Sequence, residues 1–98
     1  MDLKITGSDG AVTISVKGKL NTTTAPQFNS ETEKALDGAK SAIIDLNDLE
    51  FISSAGIRSI MTIRSRMGGE NVRIINANGL VREVFEVSGI SAILENLA

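Results

Sequence analysis

A small α/β domain, with helices packed on a mixed β-sheet in the order β-β-α-β-α-β-α-(β), is predicted by three features of the sequence. Residues 2–7 and 11–18 alternate apolar and polar around the turn residues Ser8-Asp9-Gly10. Two stretches with helical spacing, 25–38 and 55–67, alternate with two short β-rich runs, 41–46 and 71–75. Strands that alternate with helices in this way imply crossover connections, and hence a largely parallel sheet beyond the first hairpin.

Each element follows from its residues. Leu3, Ile5 and Gly7 share one face of the first strand, and Val12, Ile14 and Val16 share one face of the second, giving an antiparallel hairpin. The polar loop from Gly18 ends in Thr24-Ala25-Pro26-Gln27, where Thr as N-cap, Pro in the first turn and Gln at the third helical position read as a capping box. The helix over 25–38 buries Ala25, Phe28, Thr32, Ala35 and Ala39, with Leu36 alongside, and Gly38 lies near its end. Ser41–Leu46 is apolar up to Asp45 and reads as a central strand, parallel to the second. A loop follows, then a helix over 55–67 with Ile57, Ile60, Met61, Ile63 and Met67 inward and Arg58, Thr62, Ser65 and Arg66 outward. Gly68-Gly69 stops it, and Asn71–Ile75 is the next parallel strand. Asn78 is placed to cap a third helix through Leu80, Val84, Phe85 and Val87, ended by Ser88-Gly89. The tail, 90–98, fits an edge strand over Ile90–Leu94 better than a short helix capped by Ser91.

Bulk properties exclude several function classes. Ninety-eight residues suit one domain, 1–98. A net charge of −2 and only three aromatic residues, all Phe, argue against nucleic-acid binding. With no Cys and no His, disulfides, zinc sites, thiol nucleophiles and Ser-His-Asp hydrolysis are ruled out. No cofactor or metal is expected, and neither is enzymatic activity. Magnesium on Asp45, Asp48 and Glu50 is conceivable, but Asp48 and Glu50 read more simply as solvated loop charges. No stretch approaches a membrane span and the first residues do not read as a signal peptide, so a cytoplasmic protein is expected.

The informative stretch is Asp45–Ile57, where an apolar run enters, an amphipathic helix leaves, and Ser53-Ser54 stand at the helix start. Free N–H groups and the positive end of the helix dipole meet there. The residues alone leave two readings. One serine is an N-cap and nothing more, or a kinase modifies one of them and the added phosphate is favoured by the helix end.

Ile44-Asp45-Leu46 and Phe51-Ile52-Ser53-Ser54-Ala55-Gly56-Ile57 resemble the signature of STAS domains, the fold shared by bacterial anti-sigma factor antagonists and the tails of sulphate transporters. Gly18-Lys19-Leu20-Asn21 and Thr24-Ala25 are similar to a second segment of that family. The resemblance spans about residues 3–94 in the same order of elements. It implies that Ser54 is the phosphorylated residue. It implies docking to a kinase-type anti-sigma factor, a GHKL-type ATPase, through Asn21, Thr22, Thr23, Thr24, Ser53, Ser54, Ile57, Arg58 and Thr62. The sequence departs from the family pattern in carrying Ser53 and Asn21 where acids are usual, and Ala55 where a hydroxyl is usual. The second expectation is a STAS scaffold without phosphorylation, part of a signalling or lipid-transport assembly; a small hydrolase is a distant third.

Overall fold

The computed structural model describes residues 1–95. The alternating first twenty residues form β1 (Asp2–Ser8) and β2 (Ala11–Leu20), paired antiparallel with Leu3 opposite Val16 and Ile5 opposite Ile14. Helix α1 (Ala25–Leu36) crosses to β3 (Ser41–Asp45), which lies parallel to β2 with Ile14 beside Ile44. After β4 (Leu49–Ile52), helix α2 (Ser54–Met67) and a 3-10 turn at Gly69–Asn71 lead to β5 (Val72–Ile75), parallel to β3 with Ile44 beside Ile74. Helix α3 (Gly79–Val87) and a 3-10 turn at Ser91–Ile93 complete the described chain. The sheet order is β1-β2-β3-β5, with β4 also on β2.

Period-two side-chain alternation puts Ile5, Ile14, Ile44 and Ile74 in one row across the sheet. The last three of these are fully buried, and Phe28 of α1, Ile60 and Ile63 of α2, and Val81 and Phe85 of α3 join them in one core. The opposite sheet face carries Thr13, Ser15, Ile43, Asp45, Arg73 and Ile75, none of them buried, which is the pattern of a sheet covered on one side. The largest buried side chains are Phe28 and Phe85, so the helices supply the bulk that the β-branched strands lack.

Four expectations need correction. The stretch after Asp45 is not all loop: Leu49–Ile52 is a strand, hidden because only Leu46-Asn47-Asp48 separates it from β3. β2 pairs β3 along residues 11–15 and β4 along residues 18–20, with the register broken between Gly18 and Lys19. Gly18 has φ +95°, a bulge geometry that glycine adopts without strain. Helix α1 stops at Leu36, two residues short of the expected end, because Asp37 turns extended and Gly38 takes φ +77°. Asn78 is the N-cap residue of α3 by position, but its side chain makes no capping bond. The tail is not an edge strand over Ile90–Leu94. Its apolar residues Ile90 and Ile93 pack against the core from a 3-10 turn, and pairing begins only at Leu94, bridged to Ile74. The Glu95 N–H donates to the Ile74 carbonyl at 2.8 Å, and Arg73 holds the Glu95 carboxylate through two bonds of 2.9 Å. Residues 96–98 of the expected tail lie outside the described residues.

Candidate functional site

Parallel strands present their carboxyl ends on one edge of a sheet, where chain leaving the strands gathers. Leu20 at the end of β2 pairs with Ile52 at the end of β4. The loops that follow, Asn21–Thr24 and Ser53-Ser54, therefore emerge side by side, and each enters a helix. A bond of 2.9 Å from the Ser53 N–H to the Leu20 carbonyl ties them together.

Asn21 organises the first loop. Its side-chain oxygen accepts from the N–H groups of Thr23 and Thr24 at 3.0 and 3.1 Å. Its own N–H donates to the Thr24 hydroxyl at 2.9 Å, and that hydroxyl donates to the Lys19 carbonyl at 2.9 Å. The expected capping box is therefore absent. The Thr24 hydroxyl faces back toward the strand, and Gln27 donates to Glu31 instead, at 2.8 Å.

The second loop is shaped by close approach. Ser53 is the N-cap residue of α2, extended at φ −103° and ψ 176°, and its carbonyl accepts the first helical bond from Ile57 at 2.9 Å. Its hydroxyl makes no capping bond; the oxygen is buried and has no partner among the described residues. Ser54, the next residue, is exposed. The first turn of α2 presses onto the strand ends. A Cβ at Gly56 would stand 2.7 Å from the Leu20 carbonyl oxygen and 2.8 Å from the Ile52 side chain. Glycine is what lets the lip sit this close to the sheet.

The structure thus brings Asn21, Thr22, Thr23, Thr24, Ser53 and Ser54 into one lip. Thr22, Thr23 and Ser54 are exposed, while Asn21, Thr24 and Ser53 are half-buried. Along α2, Arg58 and Thr62 are exposed, with the Thr62 hydroxyl turned to the Arg58 carbonyl at 3.0 Å. Ile57 is half-buried and packs against the core, so it supports the lip more than it faces outward. Asp45 stands apart, accepting from the Asn47 N–H and the Asn76 amide, each at 3.0 Å, and no three acidic side chains cluster for a metal among the described residues. Sequence reasoning missed the groove between α1 and α2 that opens beside the lip, lined at that end by Thr22, Ala25 and Ala55. The small residues Ala25, Ala55 and Ser59 on adjacent helices were its only trace in the sequence.

Comparison with known proteins points to one family. The STAS domain profile matches residues 2–98. BtrV of Bordetella bronchiseptica, provisionally named an anti-sigma factor antagonist, is 33% identical over 97 residues, covering 95% of this chain and 83% of that protein. Among solved structures, the anti-sigma factor antagonist SpoIIAA in its unphosphorylated form gives a TM-score of 0.83 at 18% identity, over 99% of this chain and 89% of that one. The phosphorylated form of the Bacillus SpoIIAA gives 0.74 at 17% identity, over 99% and 92%. The structures speak for the fold. Together with the profile and the BtrV relative, they establish that this chain belongs to the STAS domain family.

Proposed function

We propose that residues 1–98 act as one STAS domain, that the chain is an anti-sigma factor antagonist, and that phosphorylation of Ser54 switches it off. The observation that carries this reading is the contrast between adjacent serines. Ser54 is exposed on the first turn of α2, whereas the Ser53 oxygen is sealed from solvent. Only one of the two hydroxyls is open to a visiting enzyme. The name of the BtrV relative and the existence of SpoIIAA in both states support the same assignment.

In this scheme the unmodified lip and the outer face of α2 dock the kinase-type anti-sigma factor, a GHKL-type ATPase, in the cytoplasm, and the sigma factor is released. The partner then moves the γ-phosphoryl group of its ATP onto the Ser54 oxygen. The hydroxyl proton leaves to a base of the partner, and ADP departs. This chain contributes the acceptor and no catalytic group. The phosphate brings a charge of about −1.5 to −2. It sits where the first-turn N–H groups of α2 receive no side-chain acceptor, so it is tolerated without refolding. Asp48 and Glu50 flank the same loop and are exposed, so the added charge acts mainly by repelling an acidic partner surface.

The test is to mix the chain with its cognate ATPase and ATP and to locate the product by peptide mass. One phosphate on Ser54, lost in Ser54→Ala and present in Ser53→Ala, is expected. No modification on either serine would remove the switch. Partner binding unchanged by Ser54→Asp would favour the scaffold reading instead.

A further inference from the structure

Helix α2 differs from the rest of the chain in charge. It contains Arg58, Arg64 and Arg66 and no carboxylate, a charge of +3 in a chain whose total is −2, so the remainder carries −5. Helices α1 and α3 are each net −1. The three arginines do not have the same role. Arg64 turns toward the helix end, its guanidinium so close over Gly69 that a Cβ there would stand 2.7 Å from it. Arg58 and Arg66 are exposed and have no ion-pair partner among the described residues. Arg66 suits the negative pole at the end of the helix, whereas Arg58, the fifth helical residue, lies just past a first turn that holds no acid to pair with it.

Both arginines line the groove between α1 and α2. The helices return from the carboxyl ends of parallel strands, so they run side by side in the same direction. The groove floor is small at the lip, with Ala25 and Ala55, and apolar at the far end, with Leu36 and Met67. On the α1 side Glu33 and Asp37 are balanced by Lys34 and Lys40, so the net positive charge of the groove comes from α2. We propose that this groove receives an acidic amphipathic segment of a protein partner, with Arg58 and Arg66 as its two charge contacts. The arginines are eight residues apart, about 12 Å along the helix. A helical partner segment meets them with carboxylates about two turns apart and its apolar edge on the groove floor. A flat anionic bilayer fits a concave site poorly, and the charge of the whole chain opposes it. The proposal deepens the docking reading above and rests on it only for which protein supplies the segment.

The test needs no kinase and no ATP, so it stands or falls apart from Ser54. The isotope-labelled chain is titrated with a synthetic amphipathic helical peptide bearing glutamates two turns apart beside a Leu/Ala edge, and with the same peptide carrying lysines. Expected are saturable NMR shifts centred on Ala25, Leu36, Ala55, Thr62 and Met67 with the glutamate peptide and none with the lysine peptide. Arg58→Glu with Arg66→Glu should weaken the glutamate peptide at least tenfold and admit the lysine peptide, with the dispersed spectrum of a folded chain retained. Absent shifts, shifts centred elsewhere, equal binding of both peptides, or a response only to phosphatidylglycerol vesicles would overturn the proposal.

Discussion

At the level of single residues, the lip depends on positions that look interchangeable and are not. The Ser53 hydroxyl is buried without a partner among the described residues, and an unsatisfied hydroxyl costs about 1–3 kcal/mol. Ser53→Ala should therefore be neutral or stabilising by about 1 kcal/mol in urea unfolding, unlike the loss that an ordinary N-cap serine would show. Gly56→Ala carries the opposite sign. Alanine normally gains about 0.5–1 kcal/mol over glycine inside a helix. Here its Cβ meets the Leu20 carbonyl at 2.7 Å, so α2 must shift, and a net loss of about 1–3 kcal/mol is expected in the same assay. Asn21→Ala removes acceptors from two N–H groups and should cost about 1–2 kcal/mol, with faster amide exchange at Thr23 and Thr24. The family resemblance in the sequence pointed to Ser54 and Asn21 as candidate site residues. It did not show that Ser53 turns inward or that Thr24 bonds backward, because both outcomes depend on Leu20 and Lys19, brought near only by the fold.

At the level of elements, periodicity was a good guide wherever one face of a segment is buried. The hairpin, α1, β3, α2, β5 and α3 appear where their apolar spacing puts them, with ends shifted by one or two residues. β4 failed that guide because it is four residues long, with Glu50 exposed and the turn residues Asn47-Asp48 just ahead. The tail failed for another reason. Ile90 and Ile93 spend their apolar surface against the core from a turn, and no local pattern distinguishes that use from a strand. The tail is held by Leu94 in the core, by the bridge to Ile74 and, at its exposed end, by the Arg73–Glu95 pair. The hydrogen bonds from Arg73, with its charge, hold the Glu95 carboxyl below its ordinary value of 4.5, and the same pairing raises Arg73. A lowered carboxyl value means that the pair's contribution is complete above pH 4.5 and fades as pH falls through the lower, folded-state value. Acidification through that range should lower the protection of the Glu95 amide, measured against its intrinsic exchange rate at the same pH, before global unfolding begins, and Arg73→Ala should produce the same local release at neutral pH. Both side chains are largely exposed, so global stability should hardly move.

At the level of the whole molecule, charge is divided: one helix positive, the rest negative. Encounter with a charged partner should depend strongly on ionic strength. The association rate with the cognate ATPase should fall several-fold between low and physiological salt, and Arg58→Glu with Arg66→Glu should flatten that dependence in stopped-flow measurements. The β2 strand gives the architecture a further property. One strand serves as spine for β1, β3 and β4, and its register breaks once, at the Gly18–Lys19 bulge. Below that joint lie the rows that make the domain fold; above it lie the strand ends that aim the lip. Alterations past the joint can therefore re-aim the lip while the rows that β1, β3 and β5 share keep their register.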